Sequence, residues 1–508
     1  MIYPSKKEFI RLSKKGNLIP VCLEILADFD TPVSAYLKLN KSSHSFLLES
    51  VEGEEKVARY SFLGSNPSLI FESKGSRVTI TRKKGARKSI ARFIAKEDPL
   101  EEIKKLMKQY RFVQIKNLPR FSGGLVGFIG YDMVRFFEPK LQITAKRLKD
   151  DLAFPDIHMV LADNLIIFDH REHTMKIVQC VHTGGGKTST GTKKLASLYD
   201  SAVRTLKTRA RDLEKPVGSK SSTFTLPSFT FKANSNLSKK RFQAIVKKAK
   251  HYIRAGDIIQ TVLSQRFSVK LNTHSFNVYR ALRQINPSAY MYYLQFGTRC
   301  LVGSSPELLI RCEDGIVQTR PIAGTRPRGK NEREDEALSK NLINDAKERA
   351  EHIMLVDLGR NDLGRVCKKG TVRLSEFMKI EKFSHVMHIV SNVVGSLSKG
   401  KDNYDVLRAT FPAGTVTGAP KIRAMEIIDE LENVKRGPYA GCIGYFSFSG
   451  NLDTCITIRT IVIKGNMAYM QAGAGIVADS LPQREYRETV NKAKAQLLAI
   501  QLAEKSFR

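Results

Sequence analysis

From Leu237 onward, strand-like and helical patterns take turns to the end of the chain, which excludes an all-helical or all-β fold. "SKKRFQAIVKKAKHYIRAG" (238–256) has apolar residues at helical spacing and stops at a glycine. "IIQTVLSQRFSVKL" (258–271) follows as a strand, and the alternation ends in a helix over 483–505. The first 180 residues carry shorter strand-like runs, "SFLLESVEG", "LIIFDH" and "MKIVQCVHT", between Gly-bounded turns. A helical pattern then reaches about Lys215, and the polar stretch "PVGSKSSTFTLPS" (216–228) is the best linker. The chain reads as mixed α/β in two parts: residues 1–228, regulatory or scaffolding, and 229–508, catalytic.

Bulk properties narrow the function. At 508 residues there is room for two or three domains with their own cores. No apolar run approaches the roughly 20 residues that cross a bilayer, so no membrane role is expected. The N-terminus has no apolar core with a small-residue cleavage site, and the seven cysteines form no CxxC pair. Reduced thiols and a cytoplasmic protein are the expectation. The formal charge of +34 points to anionic partners, yet its densest runs, such as "RKKGARK" (82–88), are short and lack interleaved aromatics. Nucleic acid is therefore not the expected partner. "VHTGGGKTS" imitates a phosphate-binding loop, but Val181 stands where the first glycine of GxxxxGK[ST] belongs, and a surface loop is the better reading.

Against that basic background two acidic pairs stand out. "NDAKERAEHIMLVDLGRND" (344–362) holds Glu348 and Glu351, and "LPQREYRETVNKA" (481–493) holds Glu485 and Glu488. Residues three apart share a helix face, with Cβ atoms about 5–6 Å apart. Ala350, Ile353, Met354 and Val356 make the first helix half-buried, so its carboxylates repel unless cations offset them. One pair is explained equally well by solvent or by Arg349. Two pairs suggest a shared Mg²⁺, a cation that takes oxygen ligands, keeps waters and is completed by anionic substrate oxygens. "PAGTVTGAPKIRAMEIIDELE" (412–432) is a loop opening a helix, whose free N–H groups and hydroxyls suit an anion. "MQAGAGIVADS" (470–480) brings backbone donors close to a ligand, and "TCITIRT" puts Arg459 on a β-rich run. Together they describe a site for a small polycarboxylate and a metal.

These segments resemble the chorismate-utilising enzymes, and within them the large subunits of anthranilate synthases. The resemblance runs through "GDIIQTVLSQRF", "GSSPELLIR", "PIAGTRPRG", "DAKERAEHIMLVDLGRNDLGRV", "FSHVMHIVS", "FPAGTVTGAPK", "GPYAGCIGYF", "QAGAGIVADS" and "EYRETVNKA", in family order. It implies an α/β (α+β) fold of antiparallel sheets packed as a sandwich, with flanking helices and a cleft active site. It also implies that Glu351 and Glu488 ligate Mg²⁺, supported by Glu348 and Glu485. The metal would hold the ring carboxylate of chorismate, helped by the backbone of Gly473, Ala474 and Gly475 and with Lys492 near both, and Tyr439 and Arg459 would contact its enolpyruvyl carboxylate. Thr319 joins the substrate contacts, Thr415 and His388 line the ring, and Glu307 is the general acid for the departing hydroxyl. Members that add water have a Lys where this chain has Gln260, and members of the para-aminobenzoate branch often have one where it has Ala323. Both positions imply ammonia as the nucleophile and anthranilate as the product. Cys442 lacks the pattern of a glutaminase nucleophile, so a separate glutamine amidotransferase subunit is implied as the ammonia source.

The N-terminal part shares the resemblance through "NLIPVCLEILADFDTPVSAYLKL" and "FLLESVEG". In feedback-inhibited members the LLES motif and a strand matching "NPSAYMYYL" bind L-tryptophan. That places an inhibitor site at Glu49, Ser50, Ala289, Tyr290 and Met291, with Ala289 standing where the family usually has Pro. The alternatives are an aminodeoxychorismate synthase and a catalytically silent regulatory homologue.

Overall fold

Two antiparallel sheets, of 13 and 12 strands, pack face to face at the centre of the computed structural model. It describes residues 1–40, 42–50, 59–85, 87–144, 147–184, 191–217, 229–383 and 386–507. Most of the linker at 216–228 and the core of the phosphate-loop imitation at 184–194 lie outside those residues.

Phe46, Tyr292 and Phe296 from the larger sheet meet Phe128, Val160 and Tyr445 from the smaller one. Phe296 stacks on the buried His158 ring at 4.0 Å and 6°. Truncating such an aromatic to Ala typically costs about 3–5 kcal/mol. Helices cover both outer faces. Thr192–Glu214, Ser275–Ile285 and Pro482–Ser506 pack on the larger sheet. Pro99–Met107, Ala346–Gly364 and Asn403–Thr410 pack on the smaller, while Lys421–Leu431 lies mainly against Leu263, Ala474 and Ile476 of the larger. Strands covered on both sides must be apolar throughout, and "GLVGFI", Gly124–Ile129, is buried at all six residues.

In each sheet a block of strands from before residue 228 is joined edge to edge to a block from after it. His44–Glu49 pairs with Tyr290–Phe296, setting Leu47 opposite Tyr293, and Gly124–Ile129 pairs with Cys442–Ser447. The expected helices form close to their expected bounds. Lys239–Arg254 is capped by the Ser238 side chain, which accepts from the Arg241 N–H, and is followed by Gly256 at φ +81°. The last helix runs Pro482–Ser506. One face is corrected. Helix Ala346–Gly364 buries His352, Leu355, Val356 and Leu363, while Ile353 is exposed. His352 earns its place by bonding to Ser391 Oγ at 2.6 Å.

Two chain crossings between the sheets position the site. Arg299–Ser305 belongs to the larger sheet and Leu308–Glu313 to the smaller, so Pro306 and Glu307 lie on the crossing. Leu452–Ile456 and Thr460–Lys464 repeat this in the reverse direction, with Arg459 on the bend. The crossings are tied together: the Ile456 N–H donates to the Glu307 carbonyl at 3.0 Å, and Ser305 Oγ donates to the Ile456 carbonyl at 2.7 Å.

Candidate active site

A cavity of about 450 Å³ opens beside the two crossings. It takes Glu307 and Arg459 from the crossings, Gln260 from strand Gln260–Lys270, and Gly473 and Gly475 from strand Met467–Ile476. Helix Ala346–Gly364 adds Glu348 and Glu351, and helix Pro482–Ser506 adds Glu485, Glu488 and Lys492. His388, Thr415 and Tyr439 complete the predicted set, and Ala323 is also on the wall. Both acidic pairs therefore face one space, although 137 residues separate Glu351 from Glu488 in sequence.

Removal from water pushes Glu307 up to about 7, against the opposing pull of the Thr415 hydroxyl and the Lys492 ammonium. Thr415 Oγ1 is buried beside it without a hydrogen bond of full geometry. His388 Nδ1 lies 2.7 Å from the Gly324 carbonyl, so Nδ1 carries the proton and Nε2 is left with its lone pair. Burial lowers this histidine, and the Gly324 contact partly offsets the effect. Arg459 adopts φ +51°, a conformation unfavourable for any residue but glycine. Its guanidinium donates to the Lys492 carbonyl at 3.1 Å and meets no carboxylate in ion-pair range among the described residues. Burial lowers its pKa, with Tyr439 and Glu488 pulling the other way.

The glycines are required by contact. A Cβ on Gly473 would lie 2.7 Å from Tyr439 Oη and 2.9 Å from Val262 Cγ1. One on Gly475 would lie 2.7 Å from Gln260 Nε2. That amide in turn donates to Glu351 at 3.4 Å.

Burial first, then the neighbouring Glu348, raises Glu351; burial, then Glu488, raises Glu485. Glu351 also senses Glu488, so the two pairs repel across the cavity. Arg326 reaches Glu348 at 3.3 Å, in place of the Arg349 considered from sequence, and Lys492 reaches Glu488 at 2.6 Å. Among the described residues no three His, Cys, Asp or Glu side chains converge closely enough to ligate an ion by themselves. The donors are nonetheless all hard carboxylate oxygens under mutual repulsion. They suit Mg²⁺, which is bound through one or two carboxylates with water and substrate oxygens completing its shell.

Two predicted residues sit apart from the rest of the set, and one expectation, the helix start as the wall, is corrected. Thr319 faces a separate recess of about 40 Å³ that shares Glu307 and Thr415 with the cavity, and its hydroxyl donates to the Leu309 carbonyl at 3.0 Å. The Ala474 side chain is buried with Phe242 and Leu263, because side chains alternate along a strand, so the expectation at this residue rests on its backbone between two glycines that line the cavity. Helix Lys421–Leu431 is capped by Pro420, and the 3₁₀ turn Gly414–Val416, not the helix start, supplies the wall. Lys347 was missed. It lines the cavity and acts electrostatically on both Glu351 and Glu485. The i, i+4 relation of Lys347 to Glu351 carried that signal.

A second hollow, of about 60 Å³, gathers all five residues of the expected inhibitor site: Glu49, Ser50, Ala289, Tyr290 and Met291. Burial raises Glu49, while Arg283 at 3.4 Å and the Tyr279 hydroxyl stabilise its charge. Tyr290 Oη donates to Asp453 at 3.0 Å, and Arg311 Nε donates to the same carboxylate at 2.9 Å. Ser50 Oγ and Arg120 Nε are buried without hydrogen-bond partners among the described residues. Cys442 is buried, as the sequence suggests, and so are the other six cysteines, all free. Among the described residues no helix is long and apolar enough to cross a membrane.

The family model described as chorismate binding enzyme matches residues 43–498. The chain belongs to the chorismate-binding enzymes. Its similarity to anthranilate synthase component 1 of Acetivibrio thermocellus is 49% identity, over 99% of each chain. Component 1 of Pseudomonas putida is 46% identical over 99% of each chain. The crystal structure of anthranilate synthase component I from Streptococcus pneumoniae TIGR4 superposes with a TM-score of 0.75 at 36% identity, covering 93% of this chain and 99% of that one. The menaquinone-specific isochorismate synthase of Escherichia coli, at 19% identity and a TM-score of 0.69, shares the fold of this chorismate-binding enzyme.

Proposed function

We propose that this chain converts chorismate and ammonia into anthranilate and pyruvate, with Mg²⁺ held at Glu351 and Glu488 and supported by Glu348 and Glu485. The observation that carries the reading is the pairing of Glu307, pushed up to about 7, with the neutral amide of Gln260 on the same cavity. A carboxyl group that keeps its proton near neutrality can protonate the departing ring hydroxyl. An amide cannot deprotonate water, whereas ammonia already has its lone pair. Ala323 leaves the wall without an amine that could attack the ring.

In this reading Arg459 and the Tyr439 hydroxyl hold the enolpyruvyl carboxylate, and Lys492 with the backbone at Gly473 and Gly475 holds the ring carboxylate. Glu307 gives its proton to the hydroxyl, which leaves as water, as ammonia adds beside the ring carboxylate. His388, with Nε2 free, takes the ring proton when the enolpyruvyl group leaves as pyruvate and the ring becomes aromatic. Bound Mg²⁺ supplies neutralising charge at the ring carboxylate. A glutamine amidotransferase subunit supplies the ammonia, and the component 1 naming of the relatives supports a second component. L-tryptophan binds at Glu49, Ser50, Ala289, Tyr290 and Met291 and inhibits.

The test is the fluorescence of anthranilate formed by the purified chain from chorismate, ammonium at alkaline pH and Mg²⁺. Product formation abolished by a chelator and restored by Mg²⁺ is expected. A para-substituted product, or untouched chorismate even with an amidotransferase subunit added, overturns the reading.

A further inference from the structure

Outside the cavity an open hollow of about 450 Å³ is lined by Arg459, Arg484, Arg487, Glu488, Asn491 and Lys492. Arg459, Glu488 and Lys492 also line the cavity, so the two spaces adjoin. Residues 484, 487, 488, 491 and 492 follow the i, i+3, i+4, i+7, i+8 pattern of one helix face. Arg484 and Arg487 are exposed, and neither has an ion-pair or hydrogen-bond partner for its side chain among the described residues. Lys492, by contrast, is taken by Glu488 at 2.6 Å. The hollow thus presents four cations and one carboxylate, while the cavity wall carries Glu348, Glu351 and Glu485 with the shared Glu488, besides Glu307. An approaching dianion meets repulsion from those glutamates unless the field in the hollow has the opposite sign.

We propose that Arg484 and Arg487 form an outer anion-capture site that receives the dicarboxylate substrate before it enters the cavity. The inference rests on the reading of chorismate as substrate. Each guanidinium offers a fork matched to a carboxylate, and both are unspent. The net charge of +34 is spread over the chain, but these two charges stand without an ion-pair partner among the described residues beside the cavity. Their effect falls on capture and leaves the chemical step alone.

The experiment compares the full chain, the double variant R484Q/R487Q and the control K494Q/K505Q. The control removes the same charge from exposed positions of the same helix, away from the hollow. With ammonium as nitrogen donor, kcat/KM for chorismate in R484Q/R487Q is expected to fall about tenfold or more at low ionic strength. Its kcat stays within about twofold, and the gap closes as salt screens the charges. The control stays within about twofold throughout. Equal losses in both double variants, or parallel losses of kcat and kcat/KM, overturn the proposal. So does loss of glutamine-dependent activity with ammonium-dependent activity intact, because the arginines would then dock the amidotransferase. If the unmodified chain makes no anthranilate, the functional reading fails. Calorimetric binding of chorismate without a nitrogen donor still decides the capture site, since R484Q/R487Q must bind more weakly than the control.

Discussion

The cavity and the small hollow treat charge in opposite ways. Asp453 and Cys455 of Leu452–Ile456 line the small hollow, and Ile456, next in line, walls the recess behind Glu307. In the hollow of about 60 Å³ the charges are satisfied internally: Asp453 by Arg311 and Tyr290, Glu49 by Arg283 and Tyr279. In the cavity of about 450 Å³, Glu351 and Glu485 repel their neighbours, Arg459 finds no carboxylate, and Glu307 holds its proton. Buried charges that are paired hold a shape. Charges left short of partners are affordable only where something else brings the partner. The contrast separates a wall that can respond to a neutral, zwitterionic ligand from a wall built to receive an anion and a cation.

The strongest way to break the contrast is Glu307→Gln. An amide keeps the shape but has no proton to give, and kcat is expected to fall about 10²–10⁴-fold, read by anthranilate fluorescence. In the unmodified chain, kcat/KM for chorismate, expressed per neutral ammonia, falls as pH rises through about 7, where the acid loses its proton. Stability follows the same group. Between 4.5 and about 7 the folded chain keeps a proton that the unfolded chain has released, so rising pH lowers stability across that window. Glu307→Gln removes that loss. Its Tm relative to the unmodified chain should climb from pH 4.5 to 7 and then level off; a flat difference refutes the raised pKa. Gly473→Ala comes second. The added methyl meets Tyr439 Oη and Val262 Cγ1 below 3.0 Å, and displacing Tyr439 should cost about 10–100-fold in kcat/KM and about 1–3 kcal/mol of stability by denaturant unfolding.

What was legible in the sequence was local. The Glu pairs were readable because three-residue spacing fixes a helix face. The helix ends at Ser238 and Gly256 were readable because a side-chain cap and a positive φ are local devices. The sandwich and the roles of Glu307 and Arg459 came from resemblance, since nothing near either residue shows that it sits on a crossing between sheets. The expectation for Arg459, a place in a β-rich run, missed the bend at φ +51° that turns it toward the cavity. A composition change at 216–228 likewise says nothing of pairings such as Leu47 with Tyr293, which join strands about 250 residues apart. The side chains of Thr319 and Ala474 lie outside the cavity because a motif names neighbours in sequence, and only alternate side chains of a strand face one way.

The weaker predictions sharpen the other half of the comparison. Ser50→Ala removes a buried hydroxyl that has no hydrogen-bond partner among the described residues and is free to bond a ligand in the hollow. A lost hydrogen bond of about 1–1.5 kcal/mol should raise the half-inhibiting concentration of L-tryptophan about tenfold. No change would mean that this hollow does not bind the amino acid.

Ala289→Pro is the smallest step and the most informative about shape. The residue stands just before strand Tyr290–Phe296, whose Tyr290 lies opposite Ser305, two residues from Glu307. Proline fixes φ near −65° and lowers the entropy of the loose state. If the hollow must reshape around a ligand larger than its present space, stiffening this edge shifts half-inhibition only a few-fold, with a gain in Tm of a degree or two. A shift beyond about tenfold in tryptophan titrations would instead locate the switch between the two hollows at this single residue, and make the Ser305–Glu307 crossing the part that moves.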